Sequence, residues 1–212
     1  MLLPLLQELI KADKAVFFAI NYAGNIPWLN YLMLGLRNQN TWIPLYLLVL
    51  YKIYKGNPKI LAPFILASLL TFLITDYASA SIIKPWVGRL RPCYDNSLSS
   101  TIYVLIDCGG QYGFPSSHAA NHFGLATIWY KLIQYLFNKK WRWVWPWATA
   151  ICYAQIYVGK HFPLDTLAGA LLGISAGFLV SKLFEYWYRN LKRNNPLATD
   201  KLPSPTNGCF NE

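Results

Sequence analysis

The sequence predicts an all-α membrane protein, a polytopic transmembrane bundle of about five spans preceded by interfacial amphipathic helices. Three observations carry this. Of 212 residues, 55% are hydrophobic and 17% aromatic, while only 13% are charged, about half the share of a soluble domain. The apolar residues gather into five runs, several of them near the roughly 20 residues that a bilayer core demands of a helix. The remaining charge is lopsided, with 19 Lys and Arg against 9 Asp and Glu for a net +10. This composition excludes a disordered chain, which is poor in apolar residues. Four cysteines are too few for a disulfide-dense miniprotein. A nucleic-acid binder would not need nine Trp, so no nucleic-acid partner is expected.

Residues 1–40 form the first unit. Leu2, Leu5, Leu6, Leu9, Val16, Phe17 and Ile20 recur at helical spacing, with Glu8, Lys11, Asp13 and Lys14 among them. That pattern fits a helix lying in the interface better than one crossing it, and a second short helix is expected over Trp28–Leu36. The bundle occupies residues 41–189. Its runs are Thr41–Tyr54, Ile60–Ile83 with Asp76 inside, Ala119–Phe137, Val144–Val158 and Leu164–Trp187. Residues 190–212 hold prolines among Asn, Thr and Ser and read as a disordered cytoplasmic tail.

Five spans place the connections 84–116 and 159–163 on one face. Twelve of the 19 basic residues fall at or near the other. By the positive-inside rule that other face is cytoplasmic, so the two connections lie outside.

The first connection is too long to be a simple linker. It opens on Lys84-Pro-Trp-Val-Gly-Arg89-Leu-Arg91-Pro92 and closes on Pro115-Ser116-Ser117-His118. Three cations without an acid make an anion site, and arginine offers planar, bidentate donors to phosphate oxygens; the same cluster on its own would also suit lipid headgroups. Ser116 or Ser117 caps the helix that follows, leaving free N–H groups and two hydroxyls as a phosphate cradle. His118 in the first turn is a candidate acid or base. The second connection, Gly159-Lys160-His161-Phe-Pro-Leu-Asp165, sets a histidine four residues before a carboxylate. Asp165 at that spacing can fix one ring nitrogen as N–H and leave the other as a lone pair, as a nucleophilic histidine requires. A structural pair holding the helix start is the plainer alternative.

These stretches resemble the type 2 phosphatidic acid phosphatase superfamily, whose pattern is K-x6-R-P, then P-S-G-H, then S-R-x5-H-x3-D. Lys84, Arg91 and Pro92 meet the first, and Pro115, Ser116, Ser117 and His118 meet the second with serine for glycine. His161 and Asp165 meet the third, while Ala154 and Gln155 stand where serine and arginine are expected. The resemblance implies two-step hydrolysis of a phosphate ester without metal or cofactor. His161 attacks phosphorus, Asp165 orients it, and His118 protonates the leaving oxygen and then activates water. Lys84, Arg91, Ser116, Ser117, Arg89 and Gln155 hold the phosphate, and Lys160 restores the charge missing at 155.

The implied substrate is a membrane lipid: an isoprenoid diphosphate, phosphatidylglycerol phosphate, phosphatidate or a lipid A phosphate. The implied setting is the periplasmic face of a bacterial inner membrane. Two alternatives use the same cradle. One is a non-catalytic lipid-phosphate-binding protein, suggested by Gln155. The other is a vanadate-dependent haloperoxidase, against which the long apolar runs speak. Asp76 reads as a hydrogen-bonded group between helices, and Asn121 and His122 as pocket wall. Cys93 and Cys108 would form a disulfide bracing the long connection if that face is oxidising.

Overall fold

The computed structural model describes residues 2–95, 98 and 101–194. Two short helices come first, α1 (Leu2–Asn21) and α2 (Pro27–Arg37). After a 3-10 turn at Gln39–Trp42 follow α3 (Ile43–Gly56), α4 (Pro58–Tyr77), α5 (Lys84–Val87), α6 (Ser117–Phe137), α7 (Val144–Tyr157) and α8 (Pro163–Asn194). Among the described residues there is no strand beyond one isolated bridge, Leu90 to Tyr112.

The expected elements form, with two corrections. A π-helical turn over Ala78–Ile83 joins α4 to α5, so the helix continues through Lys84-Pro85 to Val87. Pro85 has no N–H to donate and would clash with an α-helical carbonyl; the wider π register, in which the Lys84 N–H bonds the Ser79 carbonyl, accommodates it. Lys84 therefore stands at a helix end, one turn before Gly88, whose φ of +64° closes the helix in the left-handed region. The second correction concerns the tail. Helix α8 runs on to Asn194, because Arg189, Lys192 and Arg193 are good helix formers and complement the negative end of the helix dipole. The rest of the expected disordered tail lies outside the described residues.

Among the described residues two helical stretches are long and apolar enough to cross a bilayer unaided, Pro58–Val87 with 30 residues and Pro163–Asn194 with 32. Helix α6 has 21 residues, and α3 and α7 have 14 each. At 1.5 Å per residue the last two reach about 21 Å, less than a bilayer core, so the expectation of five spans depends on this pair. The outer surfaces suit lipid: Leu66, Leu69 and Leu73 of α4 and Leu167, Leu171, Leu179 and Leu183 of α8 are all more than half exposed.

Helix α1 turns Leu5, Leu6 and Leu9 outward while Asp13, Phe17 and Asn21, spaced by four, are buried. Asn21 donates to the Tyr103 and Tyr157 carbonyls, both at 2.8 Å, and Phe17 meets Phe162 edge-on. An apolar face in lipid and a polar stripe inward is how an interfacial helix docks on a bundle.

The centre of the bundle is the seam between α6 and α8. Gly169, Gly173 and Gly177 of α8 lie against Ser116, Ala120 and Gly124 of α6 so closely that a Cβ on Gly173 would stand 2.2 Å from the Ala120 carbonyl oxygen. Small residues every fourth position let membrane helices approach backbone to backbone. This seam fixes the start of α6 beside the start of α8, where both histidine motifs lie.

Candidate active site

The start of α6 takes the capped form expected of it. Ser116 is the N-cap, accepting from the Ala119 N–H at 3.4 Å, and its own N–H donates to the Asp165 carbonyl at 2.9 Å. The Ser117 hydroxyl receives Lys84 Nζ at 2.5 Å and the Ser79 hydroxyl at 2.9 Å. Lys84 and the two serines thus meet, although 33 residues separate Lys84 from Ser117.

The long connection is tied down rather than loose. Leu90 and Tyr112 form their bridge, the Gly113 N–H donates to Arg89 O at 2.8 Å, and the Arg91 N–H to Gln111 O at 3.1 Å. Cys93 and Cys108 are disulfide-bonded, and the Tyr94 hydroxyl donates to Gly109 O. Gly113 is required by proximity: a Cβ there would stand 3.0 Å from Asp165 Oδ2 and 3.3 Å from Arg91 Cγ. Arg91 is buried, with Nε on the Gly110 carbonyl at 2.5 Å and Nη1 at 3.2 Å from His161 Nε2. The fixed guanidinium therefore faces the nitrogen that would attack phosphorus.

His161 and Asp165 come together as the spacing predicted, with one difference. His161 Nδ1 lies 3.6 Å from Asp165 Oδ2, beyond hydrogen-bond length but within the range over which such contacts close when substrate binds. The carboxylate has other partners already. Oδ2 accepts the Phe162 N–H at 2.9 Å and Oδ1 accepts Arg89 Nη1 at 2.8 Å. Burial pushes the His161 imidazole down to about 4, with Asp165 acting in the opposite sense. The ring is neutral at pH 7, as a nucleophile must be.

Arg89 is not placed as the sequence suggested. Its guanidinium bridges two buried carboxylates, Asp165 and Asp13 of α1, and lies over the Phe162 ring at 4.5 Å. It holds Asp13 and Asp165 rather than standing free for a phosphate. Asp13 completes the clamp by accepting the Leu164 N–H at 2.8 Å. Sequence reasoning missed Asp13, though an acid in register with Phe17 on an otherwise apolar helix was the available signal. Lys160 Nζ donates to the Asp107 carbonyl at 3.2 Å. Gln155 is fully buried, and neither its Oε1 nor its Nε2 has a partner among the described residues.

His118 lines the inner end of a cavity of about 580 Å³ with Ser117, Asp76, Asn121 and His122. From there the cavity runs between α3, α4 and α6 along Tyr46, Leu50, Phe64, Leu69 and Phe72. Asp76 accepts the Asn121 side-chain N–H at 3.0 Å, the interhelical hydrogen bond expected of it. Among the described residues no three His, Cys, Asp or Glu side chains gather where they could hold a metal ion.

A histidine facing a buried arginine, a capped helix start with a lysine on its serine, and an apolar cavity reaching that helix start are the features of a membrane phosphatase. The chain belongs to the PAP2 superfamily, whose family model matches residues 65–189. It is 35% identical over 158 residues to a lipid A 4'-phosphatase of Bacteroides thetaiotaomicron, covering 72% of this chain and 68% of that protein. It is 31% identical to an undecaprenyl-diphosphatase of Sulfolobus acidocaldarius, over 82% of this chain and 79% of the other. Its fold is similar to that of the transmembrane PAP2-type phosphatidylglycerolphosphate phosphatase of Bacillus subtilis, at a TM-score of 0.65 and 22% identity over 84% of this chain and 87% of that one.

Proposed function

We propose that the protein hydrolyses the phosphate or diphosphate of a membrane lipid at the outer membrane face through a phosphohistidine on His161. The observation that carries this reading is the cavity joining His118 to the bilayer-facing helices. Its outer walls are apolar and its inner end is polar, which suits a lipid whose headgroup reaches the histidines while its chain stays among α3, α4 and α6.

In the first step His161 Nε2 forms a bond to phosphorus as the bond to the leaving oxygen breaks, and His118 gives that oxygen its proton. In the second, His118 takes a proton from water, the water oxygen bonds phosphorus, and the phosphohistidine bond breaks. Lys84, Arg91, Ser116 and Ser117 hold the equatorial oxygens, where preorganised donors contribute most to rate. These groups neutralise the phosphoryl charge without calling on a metal ion. Asp165, held by Arg89, steadies His161.

A lipid A phosphate heads the list of substrates because the Bacteroides relative is named for that activity. An isoprenoid diphosphate is the second reading, supported by the Sulfolobus relative. The excess of basic residues on the opposite face supports the orientation.

Purified protein in nanodiscs, offered a panel of lipid A, isoprenoid, phosphatidylglycerol phosphate and phosphatidate substrates, should release phosphate. His161→Ala should abolish release, and rapid acid-free quenching should trap an acid-labile, base-stable phosphoprotein in the wild type only. Full turnover by His161→Ala would overturn the reading.

A further inference from the structure

The position that holds an arginine in the superfamily pattern holds Gln155 here, and the nearby Lys160 is engaged by the Asp107 carbonyl. A different cation is carried by α2, the helix packed on α7. Arg37 is the last residue of α2. Met33, one turn earlier on the same face, is buried against Ala154 and Tyr157 of α7 and Val158 just beyond it, so the face that carries Arg37 is the one turned toward α7. The residues that follow, Gln39 and Asn40, line the same cavity as Ser117 and His118.

Arg37 Nε is buried and has no hydrogen-bond partner among the described residues. No described acid pairs with it, whereas Arg89 has two. Its charge is felt by the two cations flanking His161, lowering both Arg91 and Lys160 in addition to their burial. Arg37 is half-buried, and a guanidinium drawn partly out of water among like charges, without an acid, is costly unless an anion joins it. Gln155, whose two amide atoms are buried and unpartnered among the described residues, offers one further donor to the same anion.

We propose that Arg37 is a phosphate-binding residue, supplied by the interfacial helix α2 in place of the arginine absent from position 155. This rests on the phosphatase reading above for the identity of the anion. Arg37 donates to a nonbridging phosphoryl oxygen, and Gln155 donates to the same group through Nε2. The site thereby keeps three cations toward the phosphate, Lys84, Arg91 and Arg37, while Arg89 remains on its carboxylates.

Two measurements test this on the full-length protein in nanodiscs: orthophosphate affinity by calorimetry, and phosphate release from the lipid panel. Loss of charge-assisted hydrogen bonds should weaken orthophosphate binding by about 10- to 100-fold in Arg37→Ala, with Arg37→Lys intermediate. The double variant Arg37→Ala/Gln155→Arg should recover most of the lost affinity, which a merely structural role of Arg37 would not permit. Wild-type affinity in Arg37→Ala, no recovery in the double variant, or no orthophosphate binding by the wild type would each overturn the assignment. Because binding is read separately from turnover, a wild type that binds orthophosphate but hydrolyses no lipid refutes the phosphatase reading and leaves the test of Arg37 intact.

Discussion

Gly173→Ala offers a test of the seam between α6 and α8 in which even the sign is diagnostic. Glycine within a helix normally costs about 1 kcal/mol relative to alanine, so on propensity alone the substitution stabilises α8. The structure predicts the reverse. The new Cβ would lie 2.2 Å from the Ala120 carbonyl oxygen and 2.7 Å from the Gly124 nitrogen, against 3.4 Å for ordinary contact. The difference between 3.4 and 2.2 Å is a shortfall of about 1.2 Å. Both neighbours are backbone and cannot rotate aside, so the helices must part by about that distance. Overpacking of this kind costs about 1–3 kcal/mol, which exceeds or cancels the propensity gain. The effect on catalysis is larger. Gly173 lies eight residues, or about 12 Å, along α8 from Asp165, while Ser116 and His118 begin the partner helix. A displacement near 1 Å between His118 and His161 costs on the order of 100-fold in rate. Thermal unfolding in nanodiscs and kcat for phosphate release should both fall in Gly173→Ala. Both should stay near wild type in Ser175→Ala, on the exposed face of the same helix. Wild-type Tm and kcat in Gly173→Ala would show that the close approach does not govern the site.

Asp13→Ala removes one of the two carboxylates on Arg89 and the acceptor of the Leu164 N–H. Breaking this partly exposed pair should cost about 2 kcal/mol by denaturation, below the value for a fully buried pair, and kcat should fall although α1 carries no reacting group. Because His161 has its imidazole held near 4 when folded and near 6.5 when unfolded, the unfolded chain binds more protons between those values. Stability therefore rises with pH across that window and is lost as pH drops through it, by up to about 3 kcal/mol; Tm measured from pH 7 to 4 should fall steeply in the wild type and less in His161→Gln. Replacing Cys93 and Cys108 with serine opens a loop of 15 residues and should lower stability by up to about 3 kcal/mol, read as a Tm that no longer responds to reductant.

The parts of the fold and site that were legible in the sequence are those written in local spacing. Apolar runs gave the helices, and Ser116 before an apolar stretch gave the start of α6. The intervals from Lys84 to Arg91 and from His161 to Asp165 gave four of the site's groups. What was not legible depends on residues far apart in the chain. Arg89 looked like a phosphate ligand because its two carboxylate partners are 76 residues away in either direction. Arg37 was not singled out in the sequence, since nothing local shows that α2 packs on α7. The second apolar run was expected to end at Ile83, yet a π turn carries the helix on through Pro85 to Val87. The glycines at 169, 173 and 177 are evenly spaced in the sequence, but only the facing backbone of α6 gives that spacing its purpose.

Asp13 also bears on the order in which the protein is made. It is synthesised early, yet the N–H it accepts belongs to Leu164, 151 positions later in the chain, and the guanidinium it holds is finished only when Asp165 arrives. A ribosome that has released α1 through α7 has produced most of the bundle and neither half of a working nucleophile. Loop closure across such a separation is slow relative to local helix formation, so the clamp is among the last contacts to form. The contacts that hold His161 are thus completed only after α8 has begun, and a product truncated before Leu164 is expected to release no phosphate from lipid.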